Sequence, residues 1–370
     1  MKQPPAVGAP DPERFRSEFP VLERVAYLNA GTEGPLPRRA ADAVRERIEL
    51  EATQGRCGRP YFDGVIKLAD RARRGYAEVL GCAPSEIALT GSTTDGVNTV
   101  VSGLDLRAGD EILTSDEEHP GLLAPLGRAV RRHGVSVKMA PFAELPGEVG
   151  ARTRLIACSH VSWVSGRIVD TAGLTATGVP VLLDAAQAAG AVPVDVYELG
   201  CAFYAASGQK WLCGPEGSGC LFVHPEHLDE LTVPWPGYGS LADPHNALGF
   251  EPAEGAKRLD HGFPPGVRSA WALASLEVLA QAGWGWIHER AATLAAWLAE
   301  QLASRGIDVR PRARSTLVAW STEDAAADVE RLAVADVIVR SIPALNLVRA
   351  SVGAWSSEDE LERLVGLVAP

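Results

Sequence analysis

The amino-acid sequence predicts an α/β fold in which a doubly wound, mainly parallel β-sheet forms the larger of two domains. The chain has 370 residues, enough for one large domain and a smaller appended one. Its composition, 46% hydrophobic and 22% charged, is ordinary for a globular protein. Short apolar runs alternate with helical patterns as far as residue 225. Strands that alternate with helices are typical of parallel sheets covered by helices.

The predicted sheet is assembled from apolar runs of strand length that lie between turns or helical patterns. A Pro-rich lead and a short amphipathic piece come first, over residues 1–25. The predicted helices of the first half lie at 38–53, 64–80, 94–103 and 120–133. The predicted strands lie at 86–90, 111–114, 135–140, 154–159, 179–183, 202–205 and 220–223.

A different pattern begins after the last of these strands. Pro and Gly recur over residues 232–268 without a period, and an irregular stretch of this length is usually functional or part of an interface. The predicted elements that follow are helices at 267–281, 287–305 and 358–368 and strands at 315–321 and 346–352. We therefore predict a large domain at residues 26–255 and a smaller α+β domain formed by residues 1–25 and 256–370.

Composition and charge exclude several classes of protein. No apolar run reaches the roughly 18–20 residues of a membrane-spanning helix, and the N-terminus lacks the apolar core of a secretory signal. The formal net charge of −12 makes the chain a poor nucleic-acid binder. The six cysteines include no CxxC pair and have no histidines at zinc-binding spacing. We expect no metal, no membrane and no nucleic acid, and a reduced cytoplasmic setting.

The segment SGQKWLCGPEGSG, residues 207–219, places Lys210 between an apolar strand and a Gly-rich loop. A lysine at a strand end lies in the crevice where sheets of this kind bind ligands. Partial burial there lowers its pKa and frees an amine to attack a carbonyl group. A solvated loop lysine is the commoner state, so this segment alone leaves both interpretations open.

The segment PVLLDAAQAAG, residues 180–190, is a buried strand that ends on Asp184, with Gln187 three residues later. Both side chains could face one ligand. A carboxylate can keep a pyridine nitrogen protonated, and an amide can bind a ring hydroxyl. Asp184 also fits a helix N-cap, worth about 1 kcal/mol, and it could serve both purposes.

Two more segments carry candidate ligand-binding residues. Small hydroxyl residues, Thr93 and Thr94 among them, follow a predicted strand and open a helix, where hydroxyls and free backbone N–H groups suit a phosphate. Simple helix capping is the alternative, and the P-loop spacing is missing. His119 follows another strand, and its imidazole could stack on a flat ring, although it would otherwise be a surface-loop histidine.

An amine, a carboxylate for a pyridine nitrogen, a phosphate cup and a stacking imidazole are what pyridoxal 5′-phosphate (PLP) needs. With these motifs in this order, the sequence resembles the class V aminotransferase family of fold type I PLP enzymes. It is most similar to the branch of cysteine desulfurases, selenocysteine lyases and isopenicillin-epimerase-like proteins. The resemblance covers residues 27–352, nearly the whole chain.

The resemblance implies a role for each motif residue. Lys210 would form the Schiff base with PLP, Asp184 would pair with the pyridine nitrogen, and Gln187 would contact the ring hydroxyl. His119 would stack on the ring. The phosphate would be held by Thr93, Thr94, Ser207 and Gln209. The substrate would be held by Arg349, which matches the family's carboxylate-clamping arginine, with Arg340 as a possible helper, and by Asn29 and Trp163.

The sequence departs from the family pattern at four places. Gln209 stands where desulfurases have a histidine before the lysine, and Trp163 follows His-Val-Ser where an asparagine is frequent. Phe263 replaces the threonine that reaches the phosphate of the partner subunit, so that contact would have to come from Arg258 or His261. No cysteine occurs after Cys220, although desulfurases carry a nucleophilic cysteine shortly before the carboxylate arginine.

These features predict a PLP-dependent enzyme that acts on an α-amino acid through Lys210, most readily as a carbon–sulfur lyase without a persulfide cysteine. An aminotransferase or epimerase of the same family is the first alternative. A PLP-binding protein without turnover is the second, and the intact Lys210, Asp184 and His119 argue against it. The resemblance also implies a homodimer, and the aromatic residues within 232–268 support it as interface anchors; a loop folded back on its own subunit is the alternative.

Overall fold

The computed structural model describes residues 10–260 and 262–369. His261 and the first nine residues of the predicted small domain therefore lie outside the described part of the chain. The largest element is a seven-stranded sheet with the strand order β2-β8-β7-β6-β5-β3-β4. The strands in chain order are β1 Ala26–Tyr27, β2 Ile87–Thr90, β3 Glu111–Ser115, β4 Ser136–Ala140, β5 Thr153–Ser159, β6 Val181–Asp184, β7 Phe203–Ser207, β8 Gly219–Val223, β9 Leu317–Ser321, β10 Val337–Ile338, β11 Arg340–Ile342 and β12 Leu347–Ser351.

Helices connect and cover these strands. In chain order they are α1 Pro12–Arg16, α2 Arg38–Gln54, α3 Gly58–Leu80, α4 Thr93–Gly103, α5 Pro120–His133, α6 Thr171–Thr175, α7 Val196–Leu199, α8 Gly266–Ala282, α9 Trp284–Ser304, α10 Ala325–Val334 and α11 Glu358–Val368. No helix among the described residues is both long enough and apolar enough to span a membrane.

The large sheet is mainly parallel, as predicted. Strands β4, β3, β5, β6 and β7 pair in parallel, whereas β8 runs antiparallel to both β7 and β2. The connection from β7 to β8 explains the reversal: it is a short Gly-rich loop, and a parallel pairing would need a longer crossover. Lys210 lies in that loop, three residues after the carboxyl end of β7.

Both faces of the sheet are covered by apolar side chains. Along β5, Ile156 and Cys158 join one core cluster, while Leu155 and Ala157 join the other. Side chains of a strand alternate between its two faces. A strand that is buried on both faces consists of a continuous run of apolar residues. Such a run is why the sequence predicted a strand at β5. The doubly wound α/β fold predicted from the sequence is confirmed.

The C-terminal part is built around a three-stranded antiparallel sheet of order β11-β12-β9. The N-terminal segment packs against this part of the chain. Strand β1 pairs in parallel with β10, and Arg16 donates a hydrogen bond to the Trp355 carbonyl oxygen at 2.7 Å and forms an ion pair with Glu360. The division into residues 26–255 and the remainder stays a proposal.

Two sequence predictions need comment. Helix α3 begins at Gly58 rather than at residue 64, because Pro60 fits the first turn of a helix, where no intrahelical N–H is needed. The irregular stretch at 232–268 is confirmed over its described residues: it holds short 3₁₀ turns until α8 begins at Gly266.

Candidate active site

The polar residues singled out in the sequence meet along the carboxyl edge of the large sheet. Asp184 is the last residue of β6, and Ser207 is the last residue of β7, three positions before Lys210. His119 follows β3, and Thr93 begins α4 directly after β2. Parallel strands end at one edge of a sheet, so the topology places the four motifs around one crevice.

Asp184 is buried at the end of β6. Its Oδ1 accepts a hydrogen bond from the Ala186 amide at 2.9 Å. Burial raises the pKa of this carboxyl, while the charge of Lys210 and the Ala186 hydrogen bond lower it. Residues 185–190 form successive turns and no helix, so the interpretation of Asp184 as a helix N-cap is wrong. The carboxylate keeps one oxygen for a further donor.

Lys210 lies deep in the same crevice. Burial lowers the pKa of its ammonium group to about 8, and the charges of Arg349 and Arg340 act in the same direction. Asp184 and Glu33 oppose that effect by stabilising the charged form. A lysine with an ordinary pKa near 10.4 holds almost no free amine at neutral pH. This one therefore offers an appreciable fraction of neutral amine, and it is not a solvated loop residue.

The start of α4 forms a cup of hydroxyl and amide groups. Ser92 caps the helix by accepting from the Asp95 amide at 3.1 Å. The Thr93 hydroxyl donates to Ser207 Oγ at 3.0 Å, which brings two residues predicted for phosphate binding into contact. Unpaired N–H groups at a helix start, together with hydroxyls, suit a phosphate.

A glycine makes room for Thr94 beside His119. A Cβ added at Gly121 would lie only 2.4 Å from Thr94 Oγ1 and 3.0 Å from His119 Nδ1. His119 caps α5 by accepting from the Gly121 amide through Nδ1 at 3.0 Å. Burial, together with the positive charges of Lys210, Arg340 and Arg349, lowers the pKa of His119 to about 4. The imidazole is therefore neutral and half-buried, unlike that of a surface histidine.

The two predicted glutamines have different environments. Gln187 donates through Nε2 to the Gly31 carbonyl oxygen at 2.8 Å and accepts through Oε1 from Trp211 Nε1 at 3.1 Å. Its amide thus fixes the segment around Gly31, in addition to any contact with a ligand. By contrast, Gln209 Oε1 is buried and has no hydrogen-bond partner among the described residues.

Arg349 is fully buried in β12, yet only one of its nitrogens is engaged by the described residues. Nη1 donates to the Trp163 carbonyl oxygen at 2.7 Å. Nε and Nη2 have no partner within the described chain. Burial lowers the pKa of this guanidinium to about 9, and the charge of Arg340 adds to the effect. Nε and Nη2 form one edge of the guanidinium plane, the arrangement that binds a carboxylate through two hydrogen bonds.

Trp163 and Arg340 line the same side of the crevice. The Trp163 indole meets the His119 ring edge-on at 5.0 Å, and its buried Nε1 has no partner among the described residues. Arg340 lies over the Trp163 ring at 5.9 Å and donates to Thr32 Oγ1 at 3.0 Å. The Thr32 hydroxyl donates in turn to Asn29 Oδ1 at 2.8 Å. Asn29 therefore reaches the site through Thr32.

Several residues of the site were not assigned from the sequence. Arg340, named there only as a possible helper, is the register partner of Arg349 on the neighbouring strand, a pairing that recognition of the β11–β12 hairpin would have given. Buried Glu118 accepts hydrogen bonds from Ser115 and Ser159 and lies close enough to Asp184 for their charges to interact. Burial raises its pKa to about 7. In the sequence, the position of Glu118 next to His119 was the signal that could have identified it as a residue of the site.

The donor set fits PLP. Lys210 supplies an amine, Asp184 an acceptor for a protonated ring nitrogen, and the start of α4 a phosphate cup. Buried polar atoms without partners are rare in folded proteins and call for an explanation. Of the twelve such atoms among the described residues, four lie on Gln209, Trp163 and Arg349, beside Lys210 in the chain or at the crevice. A bound cofactor and substrate would supply the missing partners.

Comparison with known proteins places this site among related enzymes. The sequence profile of the family described as "Aminotransferase class-V" matches residues 26–364. Isopenicillin N epimerase from Amycolatopsis lactamdurans is 31% identical over 386 aligned positions, which cover 94% of this chain and 96% of that protein. A cysteine desulfurase from Cronobacter sakazakii is 29% identical and covers 96% of this chain and 97% of its own length.

Solved structures show the same relationship. A mutant of C-DES with glycine covalently linked to its PLP cofactor superimposes with a TM-score of 0.91, at 27% identity, over 97% of this chain and 99% of that one. The complex of the cystine C–S lyase C-DES with its reaction product, cysteine persulfide, gives a TM-score of 0.90 at 27% identity, over 95% and 99% of the two chains. The resemblance noted from the motifs is confirmed over the full fold.

Proposed function

Because the chain belongs to the class V aminotransferase family and is a PLP-dependent enzyme of fold type I, we propose that it is a carbon–sulfur lyase acting on a cysteine-type α-amino acid. The observation that carries the proposal is the fully buried Arg349, whose Nε and Nη2 lack partners among the described residues. A buried guanidinium edge of this kind is costly unless an anion meets it. The α-carboxylate of an amino acid has the matching geometry.

In this proposal the chain's own residues hold the substrate and move its protons. Arg349 binds the α-carboxylate, and Arg340 adds positive charge on the same side. Bound PLP supplies an electron sink that stabilises negative charge at the substrate α-carbon. Asp184 keeps a proton on the pyridine nitrogen. Lys210, with its lowered pKa, accepts the α-proton through its neutral amine.

Elimination is favoured over persulfide transfer by the cysteines of this chain. The last cysteine, Cys220, lies within buried strand β8. The sequence VIVRSIPALNLVR before the substrate arginine contains none. Structural similarity to a protein described as a cystine C–S lyase supports the same assignment. The second candidate is an epimerase, which the 31% identity to isopenicillin N epimerase favours.

Product analysis tests this assignment. The purified holoenzyme, given an S-alkyl-L-cysteine, should release pyruvate and ammonia in equal amounts, with Lys210→Ala as the inactive control. A keto acid that keeps the substrate's carbon skeleton would establish transamination instead. Exchange of the α-proton for solvent deuterium without pyruvate would establish epimerisation, and no change in any candidate substrate would establish a protein without turnover.

We also propose a cytoplasmic homodimer. All six cysteines are free thiols, in keeping with a reduced compartment. An exposed aromatic cluster supports the dimer: Phe263 meets Phe62 edge-on at 5.6 Å, and both rings are more than two-fifths exposed. Large exposed apolar groups of this kind are typical of interfaces. Arg258 pairs with Asp229 of its own chain at 3.1 Å, so it is the weaker candidate for a contact across the interface.

The dimer prediction can be checked by sedimentation. At micromolar concentration we expect the mass of two chains, and Phe62→Asp with Phe263→Asp should shift the protein towards one chain. Val334→Asp is the control, because Val334 is also apolar, is even more exposed and lies apart on α10. A fully active wild-type monomer would rule out the dimer as the working form.

A further inference from the structure

Residues 29–34, here named the active-site strap, lie across the crevice and touch it at two glycines. A Cβ added at Gly31 would lie 2.8 Å from both Arg349 Nη2 and Gln187 Oε1. At Gly34 the backbone N–H donates to the Gln209 carbonyl oxygen at 2.7 Å, and a Cβ would lie 2.1 Å from the Lys210 carbonyl oxygen. Only glycine allows such close approach at these two points. The strap is therefore held against both the arginine and the lysine.

Thr32 and Glu33 lie between the two glycines. The Thr32 hydroxyl is occupied by Arg340 and Asn29. The Glu33 carboxylate has no hydrogen bond or ion pair within the described chain, although its side chain is half-buried and its charge interacts with that of Lys210. Tyr27 donates to the Glu33 backbone oxygen, not to the carboxylate. A half-buried carboxyl without a partner among the described residues, on a strap that packs against the Lys210 backbone and the Arg349 side chain, is a candidate for a role in the chemistry.

The half-buried position of Glu33 favours its protonated form. Burial, together with the negative charge of Glu216, raises the pKa of the carboxyl to about 7, although the positive charge of Lys210 acts in the opposite direction. A group with a pKa near the working pH is best suited to give and take protons. At neutral pH, Glu33 therefore holds a proton for much of the time.

We propose that Glu33 is the general acid that protonates the departing sulfur in the carbon–sulfur lyase reaction, so this inference rests on the proposed function. When the Cβ–S bond breaks, its electron pair leaves with sulfur, and the Glu33 proton forms the new S–H bond. The electrons of the Cα–H bond form the Cα–Cβ double bond. Lys210, which holds the proton taken from Cα, returns it to the Glu33 carboxylate. Nothing is oxidised or reduced, and water then hydrolyses the released 2-aminoacrylate to pyruvate and ammonia.

The test compares two leaving groups. An alkyl thiolate needs a proton to leave readily, whereas chloride leaves without one. Glu33→Gln should therefore lower pyruvate formation from S-alkyl-L-cysteine by about 100-fold, within the usual range for general acid catalysis. Its turnover of β-chloro-L-alanine should stay near the wild-type rate. Glu46→Gln, which removes the same charge from an exposed position on α2, is the control and should affect both substrates little.

A measurement on the cofactor-free protein provides an independent readout. With ¹³C-labelled glutamate, the resonance that disappears in Glu33→Gln should titrate with a midpoint near 7. Equal losses with both substrates, or an ordinary carboxyl midpoint, would overturn the role of Glu33 while leaving the lyase assignment standing. If the wild-type enzyme forms pyruvate from neither substrate, the proposed function fails and this inference falls with it.

Discussion

Lys210→Ala is expected to abolish turnover while the protein stays folded. We expect a loss of at least about 10⁴-fold, the upper end of what a positioned proton-transfer group contributes, because this lysine is also the nucleophile that would hold the cofactor. Its charged form is disfavoured by burial, which is why its pKa falls to about 8. Removing it therefore relieves a desolvation cost and should not destabilise the fold. Turnover assays measure the loss of activity, visible absorbance measures the bound cofactor, and circular dichroism measures whether the protein stays folded.

The matched control is Lys67→Ala, which removes an exposed lysine from α3 and should leave all three readouts unchanged. The pH dependence supplies a second check. Capture of PLP by the cofactor-free protein needs the neutral amine, so its rate should rise as the pH rises through about 8. Wild-type turnover in Lys210→Ala would show that another group is the nucleophile.

Arg349→Ala is expected to weaken substrate binding more than any other change on the arginine side of the site. Removing one partner of a buried, hydrogen-bonded charge pair costs several kcal/mol, and we expect KM to rise about 100-fold, equal to about 2.8 kcal/mol. Arg349→Lys should recover only part of this loss, because an ammonium group cannot form the two parallel hydrogen bonds. Steady-state kinetics with an S-alkyl-L-cysteine measure both variants.

A substrate without the carboxylate separates recognition from structural damage. Arg349→Ala also frees the Trp163 carbonyl oxygen, which accepts from Nη1 in the wild type. The corresponding amine, which lacks the α-carboxylate, should bind the variant and the wild type equally weakly. An equal loss with amine and amino acid would mean that Arg349 only maintains the position of Trp163.

The sequence located the parts of the site that lie at strand ends. Asp184 and Lys210 each follow a continuous apolar run, and such runs identify buried parallel strands whose carboxyl ends share one edge. Thr93 was found for a similar reason, since hydroxyl residues after a strand mark a helix start. The N-cap alternative for Asp184 failed because the residues after it form turns, and a local pattern cannot distinguish a turn from the first residues of a helix.

The sequence could not predict contacts between distant segments. In the sequence, Gly31 and Gly34 cannot be distinguished from ordinary loop glycines. Only the structure shows that the strap packs against Arg349 and Lys210. Glu33 reads as a surface carboxylate, because nothing in its neighbours reveals the burial or the lysine beside it. Gln187 was assigned to a ligand, but its bonds to Gly31 and Trp211 depend on segments far away in the chain.

The pairing of β1 with β10 has a consequence for how the enzyme becomes active after synthesis. Ala26 pairs with Val337, so the chain must close a loop over most of its length before the adjoining strap is anchored. Closing such a long loop is entropically unfavourable and slow compared with forming local helices and neighbouring strands. During refolding, the helix signal should recover before catalytic activity does. Activity thus reports the last stage of folding, when the beginning and the end of the polypeptide have met.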